Sequence, residues 1–485
     1  MNIQQSYISK KKAEAPVFIT DNIKLQQAYH MALENLFEIN TLPCPAEEYN
    51  KSGLWEAEPG LMIRAGGGYP TPWTRDASVN TMNAACFLEP EVAKNTLWAV
   101  CERNEDGLCF QMDNQSWDKI IWATGAWRYY LATGDMEFLK NAYETVKNSM
   151  ALLEQTRFNK KFGLFTGGSF FNDGITGYPQ TLHEEGNESS FVGDHPDTEN
   201  IMSTSTNCLY YHGYRVLERM AEIHGEMETS KQYKEKGEKL KTAINRFLWL
   251  KEDEKYCYFL YPDGSRDNSQ EGCGIAFSIL FDVCDEAETV QMLRNTHRSK
   301  HGLVSIWPPF EGISSEEKPI RHNNLIWPVV NGFFIQAAAK AGAADIVGQE
   351  LVSQAELALK NDGFWEIYNP ETGLPDGGWQ IGQHWNSVEN QTWSATGFLG
   401  GLVFGVFGIR LTEEGIAFQP CLPEKVGPVQ LKGIRFRNLI LDICLKGEGA
   451  KIASIQINGE ERNKISYKES GRYMVEITCK NEMAP

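Results

Sequence analysis

Asp173 and Glu366 are the acidic residues whose settings suit proton transfer. Asp173 lies between Phe170-Phe171 and Gly174-Ile175, and Glu366 lies within Phe364-Trp365-Glu366-Ile367-Tyr368. An apolar surround disfavours the charged form of a carboxyl and raises its pKa, as a general acid near neutral pH requires. Each residue also has a plain structural use. Asp173-Gly174 is a turn dipeptide. Glu366, just ahead of the turn sequence Asn369-Pro370-Glu371-Thr372-Gly373, can bond a neighbouring backbone amide.

A second set of residues suits polyhydroxylated ligands. Gly66-Gly67-Gly68-Tyr69-Pro70-Thr71-Pro72-Trp73-Thr74-Arg75-Asp76 is a loop fixed by two prolines and opened by three glycines, running into a helix. Trp73 offers a flat face for the C–H side of a sugar ring, and Arg75 and Asp76 offer a donor fork and an acceptor pair for adjacent hydroxyls. Trp327 precedes Pro328, a residue expected in a first helical turn, and Asn331 follows one turn on. Several further tryptophans, among them Trp117, Trp379 and Trp393, fall near the starts of helical stretches. Singly each suits a core as well as a binding platform. Together the candidate binding residues are Trp73, Arg75, Asp76, Trp117, Asn172, Trp327, Asn331, Trp379 and Trp393.

Other chemistries find little support. There is no G-x-G-x-x-G, Walker loop, H-E-x-x-H or G-x-S-x-G motif, and the nine histidines show no metal spacing. No metal or organic cofactor is expected. Lys+Arg number 46 and Asp+Glu 64, a net charge of −18 that repels nucleic acid and anionic membrane surfaces. No apolar run reaches the roughly 18 residues of a membrane span, and no apolar stretch of secretory type follows the basic residues near the start. The 11 cysteines are odd in number and scattered, which suits reduced, buried thiols and a cytoplasmic location. Oligomeric state is open.

Helical periodicity must position these residues. Twelve stretches show it, near 22–38, 78–88, 90–103, 116–132, 136–155, 201–224, 229–248, 269–283, 286–297, 325–341, 343–360 and 391–405. Stretches rich in Gly, Trp and small residues alternate with stretches rich in Lys and Glu. Six of the first kind inside six of the second make an (α/α)6 toroid, with the longer loops at one mouth. After about residue 409, short alternating apolar runs read as antiparallel strands. The expected layout is an extension at 1–21, a helical barrel at 22–408 and a small antiparallel β domain at 409–485.

With these residues assembled, the chain resembles the six-hairpin glycosidases, most closely glycoside hydrolase family 63 and the bacterial mannosylglycerate hydrolases. The carrying motifs are Glu366-Ile367-Tyr368-Asn369-Pro370-Glu371-Thr372-Gly373 and Ile326-Trp327-Pro328-Val329-Val330-Asn331, with Asn172-Asp173-Gly174 and Thr392-Trp393-Ser394-Ala395 in support. The Trp73-Thr74-Arg75-Asp76 loop is similar to that of glucoamylase-type enzymes, and the tail to the caps of rhamnosidase-type and phosphorylase-type barrels. The resemblance implies an inverting, exo-acting α-glycoside hydrolase, with Asp173 as general acid and Glu366 as general base. A terminal α-glucoside is the favoured substrate, ahead of α-mannoside and α-L-rhamnoside. The stretch after Asp173 departs from the family pattern, which makes Glu184 and Glu185 reserve candidates for the acid. An inverting phosphorylase and a non-catalytic carbohydrate-binding protein are the alternatives on the same fold.

Overall fold

Helix Met227–Phe247 buries Ser230, Tyr233, Gly237, Leu240 and Ile244. Those positions step by three and four residues, so they form one stripe on a helix otherwise facing solvent. Helix Pro328–Lys340 is instead buried at every position but Lys340. A helix of the first kind belongs at the outside and one of the second kind at the inside. The chain alternates between them.

The computed structural model describes residues 3–55, 60–112, 115–310 and 318–481. Its principal helices are α1 (Ile3–Glu14), α2 (Ile23–Glu34), α3 (Thr74–Asn80), α4 (Pro90–Ala99), α5 (Asp118–Thr133), α6 (Met136–Thr156), α7 (Thr204–Ile223), α8 (Met227–Phe247), α9 (Gly272–Leu280), α10 (Glu286–Asn295), α11 (Pro328–Lys340), α12 (Ala344–Lys360) and α13 (Thr392–Gly400). The protein is mainly α. The inner helices α3, α5, α7, α9, α11 and α13 each pack on the next, and α13 packs back on α3. The outer helices α4, α6, α8, α10 and α12 lie against the inner helix before them, and α2 lies against α13. Inner helices approach closely. A Cβ at Gly332 of α11 would stand 2.6 Å from the Cα of Gly397 in α13, so only glycine permits that contact.

The strands that bear on the fold are β1 (Val17–Thr20), β2 (Ile409–Leu411), β3 (Gly415–Phe418), β4 (Val429–Phe436), β5 (Leu439–Gly447), β6 (Lys451–Ile457), β7 (Lys464–Ser466) and β8 (Gly471–Lys480). One sheet has the order β1-β4-β5-β8-β6 and a smaller one the order β2-β3-β7. Along β8, Tyr473, Val475, Ile477 and Cys479 are buried in alternation, the period-two pattern of a strand with one covered face. The apolar core runs without a break from the helices into this sheet, as in the contact of Phe87 with Phe436 at 5.8 Å.

Two features depart from the sequence reading. The segment 1–21, expected as an extension, supplies α1 and β1; its residues 1–2 lie outside the described residues. β1 is the edge strand of the main sheet, with Phe18 opposite Leu431 and fully buried. The sheet expected to be antiparallel is mixed, because β5 and β8 run parallel. After β5 the chain forms β6 at the far edge and β7 in the smaller sheet, then returns as β8 between β5 and β6.

All eleven cysteines are free thiols. Among the described residues no helix is long and apolar enough to cross a membrane.

Candidate active site

The inner helices α3, α5, α11 and α13 begin at one end of the ring. There Trp73, Arg75, Asp76, Asp118, Trp327, Gln391 and Trp393 line a cavity of about 200 Å³. Two loops complete its wall. The segment between α6 and α7 brings Asp173 and Phe191, and the segment between α12 and α13 brings Glu366. The loop ahead of α3 lies tightly against the chain entering α13. A Cβ at Gly66 would fall 2.0 Å from Gln391 Oε1, and one at Gly67 would fall 2.6 Å from the Glu389 carbonyl oxygen. That contact sets Tyr69 and Trp73 over the cavity.

Glu366 is almost wholly buried, and its carboxylate accepts two hydrogen bonds. Tyr69 Oη donates to Oε1 at 3.2 Å and Arg321 Nη2 to Oε2 at 3.1 Å. Arg321 is held in turn by the Gly377 carbonyl at 3.2 Å and lies over the Trp327 ring at 5.2 Å. Burial and the facing Glu366 carboxylate push the Tyr69 phenol up, so it stays a hydrogen-bond donor.

Asp173 is one-third exposed at the side chain, which opens it to the cavity. Its Oδ2 meets Arg75 Nη2 at 3.2 Å and its Oδ1 meets His322 Nε2 at 2.6 Å. Burial raises the Asp173 carboxyl, but Arg75, His322 and Arg321 together outweigh burial and hold it well below the usual carboxylate range. The expected apolar setting is therefore corrected. Phe170 and Phe171 turn into the core, and the acid faces cations instead.

Arg75 is fixed by the Phe171 carbonyl at 3.0 Å and sits between the Trp117 and Trp393 rings, at 5.8 and 5.0 Å. His322 has a left-handed backbone, φ 61°, and stacks on Trp327 at 4.7 Å. Its Nδ1 is buried without a partner. Burial pushes the His322 ring down, against the pull of Asp173. A Cβ at residue 174 would come within 2.4 Å of His322 Nδ1, so Gly174 makes room for the ring. That accounts physically for a glycine directly after Asp173.

Asp76 is a buried carboxyl with Oδ1 unpartnered. Burial pushes it up to about 7; Arg75 opposes that, while Glu366, Asp173 and Asp118 add to it. The cavity thus holds one carboxyl kept ionised by cations and another that keeps its proton near neutrality.

The structure brings together Asp173, Glu366, Trp73, Arg75, Asp76, Trp327 and Trp393. It places four other candidates elsewhere. Trp117 is fully buried beneath Arg75. Asn172 donates to Tyr258 Oη at 2.6 Å inside the core, and Asn331 donates to Glu350 at 2.8 Å. Trp379 lies in a hairpin beside His384, outside the cavity wall. Glu184 and Glu185 are exposed and away from the cavity, and Glu184 accepts from Asn187. Sequence reasoning passed over Tyr69, Gln115, Asp118, Phe191, Arg321, His322 and Gln391, all on the wall. Tyr69 stands inside the loop already singled out, and Arg321 and His322 lie a few residues ahead of the Ile326–Asn331 motif; that proximity was their only signal.

The family model of the mannosylglycerate hydrolase MGH1-like glycoside hydrolase domain matches residues 69–394. No curated protein matches the chain. Among solved structures, a sialidase superposes with a TM-score of 0.69 at 16% identity, over 94% of this chain and 41% of that one. The GH78 family rhamnosidase of a Bacillus species gives 0.59 at 14% identity, over 89% and 42%. The GH63 mannosylglycerate hydrolase from Thermus thermophilus in complex with glucose gives 0.56 at 13% identity, over 77% and 99%. The chain therefore spans about two-fifths of the sialidase and rhamnosidase chains and nearly all of the Thermus enzyme.

Proposed function

The chain belongs to the mannosylglycerate hydrolase MGH1-like glycoside hydrolase family and is a glycoside hydrolase acting on carbohydrate, and from that premise we propose that it is an inverting, exo-acting α-glycosidase on an (α/α)6 toroid capped by a β domain. The observation that carries this reading is the lining of one small cavity by Asp173 and Glu366 together with an arginine fork, a buried acid and three tryptophans. The terminal sugar enters at the mouth, under Trp73. Arg75 and Asp76 hold its hydroxyls, and Trp327 and Trp393 pack on its apolar face. α-Glucoside is the favoured class, in keeping with the glucose held by the Thermus enzyme of like fold.

Glu366 removes a proton from water on one face of the ring while the glycosidic oxygen receives a proton on the other. A single displacement then inverts the anomeric carbon, and the water needs carboxyls roughly 6.5–9.5 Å apart. Asp173 is the proton donor. Arg75 and His322 favour its ionised form in the free site, so it acts from the fraction of molecules in which it has taken a proton from solvent, to which its side chain is open. Sugar hydroxyls that engage Arg75 loosen its pairing with Asp173, and after the displacement Asp173, left as the carboxylate, and Glu366, left as the acid, return to their starting states by proton exchange with solvent.

The test is a panel of aryl glycosides and disaccharides with NMR of the first-released anomer, on wild type, Asp173→Asn and Glu366→Gln. Each variant is expected to lose about 10²–10⁴-fold in kcat/KM on a natural glycoside. A glycosyl fluoride, whose leaving group needs no proton, is expected to restore Asp173→Asn and not Glu366→Gln. Retention of configuration, or full activity in either variant on a natural glycoside, overturns the assignment.

The raised pKa of Asp76, to about 7, favours a second reading in which Asp76 is the donor and Asp173 only positions the sugar. In that case fluoride rescues Asp76→Asn and leaves Asp173→Asn impaired.

A further inference from the structure

The far end of the helical ring holds a second cavity, of about 230 Å³. α5 carries Asp118 at the active-site end and Arg128 at this one, ten residues or about 15 Å along the helix. α11 likewise starts beside Trp327 and ends at Lys340. Arg410, on β2, closes the cavity from the sheet side, and Trp127 and His212 add flat faces.

Three cations meet here in a chain of net charge −18. Helix C-termini attract cations, which explains part of the cluster. Lys340 donates to the Leu280 carbonyl at 2.9 Å and pairs with the exposed Asp282 at 2.7 Å. Arg410 donates to the Phe404 carbonyl at 2.6 Å and to Gln419 at 3.1 Å. The remainder is unexplained by capping. Arg410 Nη2 is buried without a partner. The Arg128 guanidinium lies over the Phe404 ring at 4.2 Å, and among the described residues no carboxylate pairs with it. Burial and the nearby Arg128 push Arg410 down to about 10, and burial pushes His212 down to about 3 with Arg128 adding to it, so His212 stays neutral. Two guanidinium groups are thus held close with uncommitted donors, and the Asp282 carboxylate that acts on Arg410 is already paired with Lys340.

We infer that this cavity is an oxyanion site, in which the free donors of Arg128 and Arg410 grip a phosphate dianion, either inorganic phosphate or the phosphate group of a small metabolite. Planar guanidinium forks suit tetrahedral oxyanions, and two of them match two negative charges. The volume and the Trp127 face leave room for the body of an ester.

The test uses the full chain and isothermal titration at constant ionic strength, with inorganic phosphate, glucose 6-phosphate and uncharged glucose as probes. Saturable binding of a phosphate probe is expected in wild type, weakened at least tenfold in Arg128→Gln and in Arg410→Gln. Arg128→Lys keeps the charge and guards against a variant that fails to fold; it is expected to bind at intermediate strength. Equal affinity for phosphate and the ester identifies the free ion as ligand, and tighter binding of the ester identifies a metabolite; both support the site. Absence of saturable phosphate binding overturns the proposal. Undiminished binding in both glutamine variants also overturns it, because the anion then sits elsewhere, as at Arg75 and Arg321.

Discussion

Replacing Asp76 by Asn tests the electrostatics of the cavity without reference to turnover. The Asp76 carboxyl is pushed from an ordinary 3.8 up to about 7, first by burial. A tenfold change in proton affinity is worth about 1.4 kcal/mol, so ionising Asp76 in the folded chain costs about 4 kcal/mol more than in the unfolded chain. Between about pH 4 and pH 7 the unfolded chain has released this proton and the folded chain still holds it. The folded state binds more protons in that window, so stability falls as pH rises and then levels off above pH 7. Asn at this position has no proton to release. Urea unfolding of wild type and Asp76→Asn at half-unit steps from pH 4 to pH 8 reads the difference directly. The variant is expected to gain on wild type with rising pH, by about 4 kcal/mol across the range, whatever constant offset the amide introduces. Glu89 and Glu271, each pushed up to about 8 by burial, give both proteins the same background slope, which cancels. Parallel stability curves would refute the account of Asp76 as a buried, proton-holding acid.

Three further outcomes follow from the geometry. His322→Asn, which suits the left-handed backbone, removes a group that lowers Asp173; the Asp173 carboxyl is expected to titrate at higher pH than in wild type, followed by carbon NMR of the side-chain carboxyl, and an unmoved titration counts against the Asp173–His322 pair. Gly174→Ala puts a Cβ where His322 Nδ1 and Gln380 Oε1 stand, each 2.4 Å away; a loss of about 10² in kcat/KM is expected from the displaced site, with melting within a few degrees of wild type. Phe18→Ala empties a fully buried position of β1 and is expected to cost about 3–5 kcal/mol by chemical denaturation; a near-neutral effect would mean that β1 is not docked in solution.

The helices were legible because burial on a helix leaves a periodic trace. The stripe Ser230, Tyr233, Gly237, Leu240, Ile244 is readable from spacing alone, and each of the twelve periodic stretches coincides with a helix. Ends were less legible: the stretch read to residue 103 stops at Ala99, and Cys101–Arg103 is a strand. α1 left no trace because it is mostly polar, with Ile3, Tyr7 and Ile8 too few to mark an apolar stripe, and it fully buries only Lys11. β1 was invisible for another reason, since its partner lies more than 400 residues away and pairing at that range has no local signature. The site was half legible. Residue type and spacing led to Asp173, Glu366 and the Trp73–Asp76 loop. They misjudged the surroundings of Asp173, because its sequence neighbours Phe170 and Phe171 point inward while its spatial neighbours arrive from positions 75 and 322. Tryptophan was equally ambiguous: Trp393 faces the cavity and Trp122 packs on Trp98 at 5.2 Å in the core.

The place of β1 at the rim of a sheet built otherwise from residues beyond 428 imposes an order of events during synthesis. A ribosome adding about 5–20 residues per second needs roughly 20–80 s to travel from Phe18 to its neighbour Leu431. Throughout that delay Val17–Thr20 emerges as an apolar ribbon with no mate, flanked by the triplet Lys10-Lys11-Lys12, whose charges discourage premature association with other nascent chains. β1 is thereby among the last strands to be enclosed, and its docking reports that translation has passed its partner residues 429–432.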